Sequence, residues 1–203
     1  MQGIAITRLA STPETLQQLS ALLVEAVASG GNVNFMHPLA HTAAVAFWEE
    51  AFRSVAAGHR IILGAMDQSE LIGTLTLILD CGQNQPHRCE VAKIMTKQVY
   101  RGRGVGKALI GEAERLAREL QRSMVVLTTA TGIGAHTLYE KAGFTLAGTI
   151  PNFGYNPHGR MAGCMFYWKQ IEDVPQHWDY SGSGADTHPS GLRGTTAKSA
   201  HRS

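Results

Sequence analysis

The stretch Arg101-Gly102-Arg103-Gly104-Val105-Gly106-Lys107, the glycine turn, follows a predicted strand and opens a predicted helix. Its three glycines stand at alternate positions, so successive backbone N–H groups can converge on one point. The N-terminus of the helix adds a partial positive charge, and Arg101, Arg103 and Lys107 add three full charges. These features predict a binding site for phosphate groups.

Three kinds of phosphate ligand place different demands on such a turn. A nucleotide-binding P-loop needs Ser or Thr after Gly-Lys, but Ala108 stands there, and Arg101 occupies the first glycine position. A dinucleotide fingerprint needs its third glycine one residue later, after the first strand of a parallel unit. The pyrophosphate of coenzyme A is the third candidate ligand.

The hydrophobic pattern on either side of the glycine turn predicts an α/β fold with the order β-α-α-β-β-β-α-β-α-β-β. Because strands adjoin one another, we expect a mixed, mostly antiparallel twisted sheet flanked by helices. Thr12 is the expected cap of the first helix, Pro38 is expected to open the second, and residues 151–160 are expected to form a loop. The strands are expected at residues 4–9, 60–66, 71–79, 89–96, 124–130, 144–150 and 161–171, and the two later helices at 104–121 and 133–142.

Two motifs resemble the GNAT superfamily of N-acetyltransferases. Arg101, Gly104 and Gly106 match its acyl-CoA pattern [QR]-x-x-G-x-[GA], and residues 135–144 match its segment A-x-x-x-Y-x-x-x-G-F. Residues 30–39, 90–95 and 153–161 resemble the tabtoxin-resistance acetyltransferases of that superfamily. The resemblance spans residues 4–171 and implies the GNAT fold, with acetyl-CoA as cosubstrate and no metal.

The resemblance also implies roles for individual residues. Glu90 matches the general base that takes a proton from the amine, through a water, and Tyr139 matches the acid that protonates the departing thiolate. Backbone groups on the same strand as Glu90 would bind the pantetheine arm and the developing oxyanion. The implied coenzyme A contacts are Ile94, Met95, Thr96, Arg101, Gly102, Arg103, Gly104, Val105, Gly106 and Lys107.

The acceptor side of the site departs from the tabtoxin-resistance pattern, where two acidic residues end the buried strand. Thr128 and Ala130 stand at those positions, so an acceptor rich in ammonium groups would lose its counter-charges. We expect an acceptor with a carboxylate of its own, which His158 or Arg160 would bind, and we favour a kasugamycin-type aminoglycoside. Further expected acceptor contacts are Asn34, Phe35, Phe153 and Tyr155. A tabtoxin-like substrate, a protein or peptide N-terminus, and a non-catalytic acyl-CoA sensor are the alternatives.

Length and composition exclude several other classes of protein. The 203 residues predict a domain over residues 1–174 and a disordered tail over residues 175–203, which is rich in Ser and Gly. A net charge of +2 is too small to predict nucleic-acid binding, and no apolar run is long enough to span a membrane. The three cysteines and the histidines show no metal-ligand spacing. We expect a cytoplasmic monomer or homodimer with reduced thiols.

Overall fold

A computed structural model describes residues 3–132 and 134–175, which form one seven-stranded sheet with helices on both faces. The strand order is β1-β2-β3-β4-β5-β7-β6. This arrangement confirms the predicted α/β fold, whereas the predicted tail lies outside the described residues from residue 176 onward. The elements are β1 (Ala5–Arg8), α1 (Pro13–Ala28), α2 (His41–Ala56), β2 (Arg60–Asp67), β3 (Glu70–Ile78), β4 (Arg88–Thr96), a 3-10 turn (Gln98–Tyr100), α3 (Val105–Glu119), β5 (Met124–Ala130), α4 (His136–Lys141), β6 (Thr145–Tyr155) and β7 (Met161–Gln170).

Two hydrophobic cores lie on opposite faces of the sheet. On one face, α3 buries Leu109 and Leu116 completely against the central strands. On the other face, α1 and α2 pack against each other and bury Leu23 and Trp48. Each helix therefore turns its apolar side to the sheet, as its periodicity predicts. Within residues 3–132 and 134–175, no helix has the length and apolar character needed to cross a membrane.

Two predicted element boundaries were wrong. The second helix begins at His41 rather than at Pro38, because Leu39 packs against the core formed by α1 and α2 and Ala40 stays extended, with ψ of 137°. Residues 151–155 belong to β6 instead of a loop. Their pairing with β7 resumes at Gly154 and Tyr155 after an irregularity, so only residues 156–160 form the turn of the hairpin.

The middle of the sheet opens between β4 and β5. These two strands are parallel and are paired from Arg88 with Met124 to Val91 with Leu127. No β4–β5 pairing is described beyond that point, although both strands continue for several residues. The sheet is therefore split at one end, between residues 92–96 and residues 128–130.

A bulge in β4 lies beside this opening. The β3 residues Thr74 and Thr76 pair with residues 95 and 92 of β4, so Lys93 and Ile94 both lie opposite Leu75. Lys93 has a positive φ of 50°, which is the left-handed region that non-glycine residues seldom adopt. The extra residue changes which face of the sheet each later side chain of β4 reaches.

Candidate active site

A cavity of about 880 Å³ occupies the split in the sheet. Its walls come from the open ends of β4 and β5, the first turn of α3, α4 and the segment after α1. A cavity of this size is large enough to enclose the reacting ends of two small molecules. Most of the residues expected to bind coenzyme A line it: Ile94, Met95, Thr96, Arg101, Gly102, Gly104, Val105, Gly106 and Lys107.

The glycine turn presents uncommitted backbone donors to this cavity. Gly104 has φ of +84° and immediately precedes α3, whose N-terminus carries no side-chain cap. Its carbonyl accepts the first hydrogen bond of the helix, from the N–H of Ala108 at 3.0 Å. The N–H groups of residues 105–107 precede that bond and have no partner within the helix. A Cβ at Gly104 would have no atom of the described chain within 4 Å, so the space above the turn is open to a ligand.

The basic side chains of the glycine turn differ in their surroundings. Arg101 donates to Ser29 Oγ at 3.2 Å and to the Thr96 carbonyl at 3.4 Å, which ties the turn to the end of α1 and to β4. The Arg103 guanidinium lies 5.2 Å from the ring centroid of Tyr100 and does not line the cavity. Lys107 is exposed and does line it. The turn therefore combines free N–H groups with positive charge, and these residues fit a pyrophosphate.

Glu90 lies where the split in the sheet begins. It pairs with Ile78 of β3 and Val126 of β5, one residue before the β4–β5 pairing ends, and it lines the cavity. Thr128 lines the same cavity from the other side of the split. A carboxylate in this place can accept a proton from an amine that enters between the strands.

Tyr139 on α4 lines the cavity but is itself 3 % exposed. Its ring packs against those of Phe144 and Tyr167, with centroids 6.3 and 5.9 Å away. Burial raises the pKa of Tyr139 to about 12, although a hydrogen bond with Thr129 acts in the opposite direction. The phenol is therefore protonated throughout the neutral range and can act as a proton donor.

The expected acceptor residues do not all reach the cavity. Asn34 and Thr128 line it. Phe35, Ala130, Phe153, Tyr155 and His158 are not among its lining residues. Phe35 packs edge-on against Phe47 with centroids 5.2 Å apart, and the exposed Phe153 packs against Phe166, which is the cross-strand partner of Thr128. Phe153 thus lies one residue away from the cavity wall.

The segment after α1 is fastened to the turn between β6 and β7. The N–H of His37 donates to the carbonyl of Pro157 at 2.9 Å, and the rings of His37 and His158 lie 5.1 Å apart. Residues 29–34 of this segment line the cavity. One wall of the cavity is therefore anchored at its far end to the β6–β7 hairpin.

Two lysines of the cavity wall were not foreseen from the sequence as site residues. Lys141 ends α4, and Lys93 lies in the bulge of β4. Simple alternation along the strand would place Lys93 on the same face as Cys89 and Val91, which belong to the core beneath α3. No signal in the sequence marks the bulge that prevents this. Within residues 3–132 and 134–175, no group of three or more His, Cys, Asp or Glu side chains is arranged to hold a metal ion.

Comparison with known proteins agrees with this geometry. Residues 31–144 match the model of the acetyltransferase (GNAT) family. The phosphinothricin acetyltransferase of Sinorhizobium meliloti, solved with acetyl-CoA, is 18 % identical with a TM-score of 0.74, and the match covers 92 % of this chain and 98 % of that one.

Two further structures share the fold at similar distances in sequence. An N-acetyltransferase from Staphylococcus aureus is 20 % identical with a TM-score of 0.71, covering 84 % of this chain and 100 % of that one. The ribosomal-protein-alanine N-acetyltransferase of Brucella melitensis is 20 % identical with a TM-score of 0.70, covering 82 % and 99 %. The family match takes in the glycine turn, Glu90 and Tyr139, and it shows that the chain belongs to the GNAT family of acetyltransferases, which use acetyl-CoA as the acetyl donor.

Proposed function

We propose that this acetyltransferase acetylates an amino group of a small antibiotic or toxin and thereby confers resistance, with a kasugamycin-type aminoglycoside as the favoured acceptor. The observation that carries the proposal is the composition of one cavity. Glu90, Thr128, Tyr139 and the glycine turn all line it, so a base, an acid and a phosphate site surround the same space. Among the described residues that line the cavity, Glu90 carries the one carboxylate, and Thr128 on the acceptor side is uncharged.

The base in this scheme is Glu90. An amine is an ammonium ion at neutral pH and attacks a carbonyl carbon only after it has lost a proton. Glu90 takes that proton, directly or through one water, at the point where β4 and β5 separate. The transfer leaves both the amine and the Glu90 carboxyl group neutral.

The acid is Tyr139. Acetyl-CoA, when bound, supplies the acetyl group as a thioester. As the new C–N bond forms and the C–S bond breaks, the Tyr139 hydroxyl gives its proton to the sulfur, and the second proton that the nitrogen then releases restores the phenol. The pKa of about 12 keeps this hydroxyl protonated before the reaction. The N–H groups of residues 105–107 and the Lys107 ammonium hold the pyrophosphate end of the donor.

The charge and the size of the cavity decide which acceptors can bind. A polycationic sugar would bring several ammonium groups into a space where Glu90 is the nearest carboxylate, and each unpaired buried charge costs several kcal/mol. An acceptor with one reactive amine and its own carboxylate avoids that cost. The fastening of residues 29–37 to the β6–β7 turn supports a small acceptor over an extended peptide.

The test is the release of free thiol from acetyl-CoA by the purified protein with a panel of acceptors. The panel comprises kasugamycin, a gentamicin-type aminoglycoside, a tabtoxin-like amino acid and a peptide with a free N-terminus. We expect turnover with kasugamycin and resistance to it in a sensitive bacterial host that expresses the protein. Turnover confined to the peptide, or growth on gentamicin with none on kasugamycin, would overturn the proposal.

A further inference from the structure

Lys93 is the one lysine of β4, and the bulge gives it an unusual direction. Cys89 and Val91 lie in the core beneath α3, and Ile94 packs against that core. Met95 belongs instead to the core formed by α1 and α2. The bulge at Lys93 therefore reverses the alternation of the strand. It turns the lysine toward the side of the sheet that carries Phe35 and Phe47.

Lys93 lines the cavity, and its ammonium group lies against two aromatic rings that are not among the lining residues. Its Nζ is 5.5 Å from the ring centroid of Phe47 and 5.9 Å from that of Phe35, within the range of cation–π attraction. Among the described residues, Lys93 Nζ has no hydrogen-bond acceptor and no ion-pair partner. By contrast, Lys97 and Lys169 are paired with Glu70 and Glu114.

The surroundings of Lys93 lower its pKa. Burial is the largest influence and lowers its pKa, the positive charge of Arg60 lowers it further, and Glu90 acts in the opposite direction. Lys93 is half-buried and lines the same cavity as Glu90. An anion that bound beside it would relieve both the burial cost and the repulsion from Arg60.

We propose that the ammonium of Lys93 binds the carboxylate of the acceptor and thereby directs the acceptor's amine toward Glu90. This inference rests on the proposed function and narrows its substrate class to small zwitterions that carry both an amine and a carboxylate. Lys93 lies three positions after Glu90 along β4, which is about 10 Å of backbone at most. One small molecule can therefore span the two side chains.

The position of Lys93 distinguishes it from the basic residues expected for this role. His158 and Arg160 are exposed on the β6–β7 turn, where their backbone N–H groups donate to Asn156 Oδ1. Neither of them lines the cavity, whereas Lys93 does. Lys93 and Glu90 together present a positive and a negative group to one acceptor, and a dianion such as a phosphate monoester would be repelled by Glu90.

The experiment compares acceptors that differ only in their charge. Kasugamycin and a small α-amino acid are each used as the free carboxylate and as the carboxamide, with the wild type and with Lys93→Met and Lys93→Arg. A charge-assisted hydrogen bond lost from both ground and transition states raises KM without changing kcat. We expect Lys93→Met to raise the KM for the carboxylate acceptor about 10- to 100-fold, while kcat and the KM for acetyl-CoA stay within a factor of about three.

The controls separate this role from a structural one. Lys93→Arg keeps the charge and should recover most of the affinity. The KM for the carboxamide acceptor should be high and equal for the wild type and Lys93→Met. Arg118→Met, which removes an exposed positive charge at the far end of α3, should leave every constant unchanged.

The outcomes also separate this inference from the proposed function. Turnover of small amines that is indifferent to the acceptor carboxylate, or to Lys93→Met, would overturn the inference and leave the proposed function standing. Absence of turnover with every small amine, in a protein that still binds acetyl-CoA, would overturn both.

Discussion

Glu90 of β4 lies directly opposite Val126 of β5, and the pairing between the two strands ends at the very next residue. Cys89, one residue earlier, lies in the core beneath α3. From residue 92 onward, β4 has no described pairing with β5. Glu90 lies where β4 and β5 begin to separate, so its backbone is held by strand pairing while its side chain reaches the cavity.

This relationship predicts that Glu90→Gln impairs chemistry more than binding. The amide keeps the size and hydrogen-bonding capacity of the side chain but cannot accept a proton, so kcat should fall about 10²-fold or more at neutral pH. The KM for acetyl-CoA should stay unchanged. Part of the activity should return at high pH, where the free amine no longer needs a base. The exposed Glu49→Gln on α2 is the matched control. A variant with normal kcat at pH 7 would remove Glu90 from the mechanism.

A second prediction concerns the glycine turn. Gly104→Val should abolish the rise in melting temperature that acetyl-CoA causes in the wild type, because a branched side chain would fill the open space above the helix N-terminus. The φ of +84° also makes the substitution strained. Gly111→Ala is the control on the same helix: its Cβ meets open space, and it should raise stability by about 0.5–1 kcal/mol while keeping the ligand response. Equal responses to acetyl-CoA from wild type and a folded Gly104→Val would contradict the assignment.

Local signals in the sequence were sufficient for most of the fold. Thr12 caps α1 by accepting a hydrogen bond from the N–H of Thr15, and Pro13 occupies the first turn, as the sequence predicts. Such signals act within four residues, so they can be read from the chain alone. The extension of β6 to Tyr155 could not be read in this way. It depends on pairing with β7 beyond Pro151, and Pro151 is compatible with an edge strand.

The candidate site was predicted only in part for a related reason. The motifs identified the glycine turn, Glu90 and Tyr139, because their chemistry requires those residue types at those positions. Lys93 stands between Glu90 and the glycine turn in the sequence, but its direction is decided by a bulge that depends on pairing with β3. The raised pKa of Tyr139 likewise depends on the depth of its burial, which the sequence does not show.

A third prediction concerns the role of the Tyr139 hydroxyl in the reaction. Tyr139→Phe removes the proton donor but keeps the ring that packs between Phe144 and Tyr167, so the fold should persist. We expect kcat to fall about 10- to 100-fold with acetyl-CoA, with little change in either KM. With an acetyl donor whose leaving group is more acidic than the thiol of coenzyme A, Tyr139→Phe should lose much less activity. An equal loss with both donors would contradict the proton transfer.

The same residue makes stability depend on pH in alkaline solution. The pKa of about 12 in the folded chain exceeds the value near 10 of an unfolded chain, so the folded state keeps its proton while the unfolded state loses it. This contribution is complete below pH 10 and is lost as the pH rises toward 12. The free energy of unfolding of the wild type should therefore fall by about 2–3 kcal/mol more than that of Tyr139→Phe over that interval. Urea unfolding at several pH values from 9 to 12 measures the difference, and parallel curves for the two proteins would contradict it.

The last prediction tests the charge of the acceptor side at Thr128. This residue of β5 lines the same cavity as Glu90, so Thr128→Asp would place a second carboxylate beside the acceptor. An acceptor with its own carboxylate should then be repelled, and its kcat/KM should fall about 10-fold or more, since a like charge at close range costs more than 1 kcal/mol in a partly enclosed site. Polycationic aminoglycosides should lose nothing and should gain weak turnover. Thr128→Asn is the matched control, because it has nearly the size and shape of the aspartate without its charge. The measurement is acceptor kinetics for the three proteins with kasugamycin and a gentamicin-type drug. A loss of kasugamycin turnover that is equal in Thr128→Asn and Thr128→Asp would show that shape, and not charge, decides the acceptor.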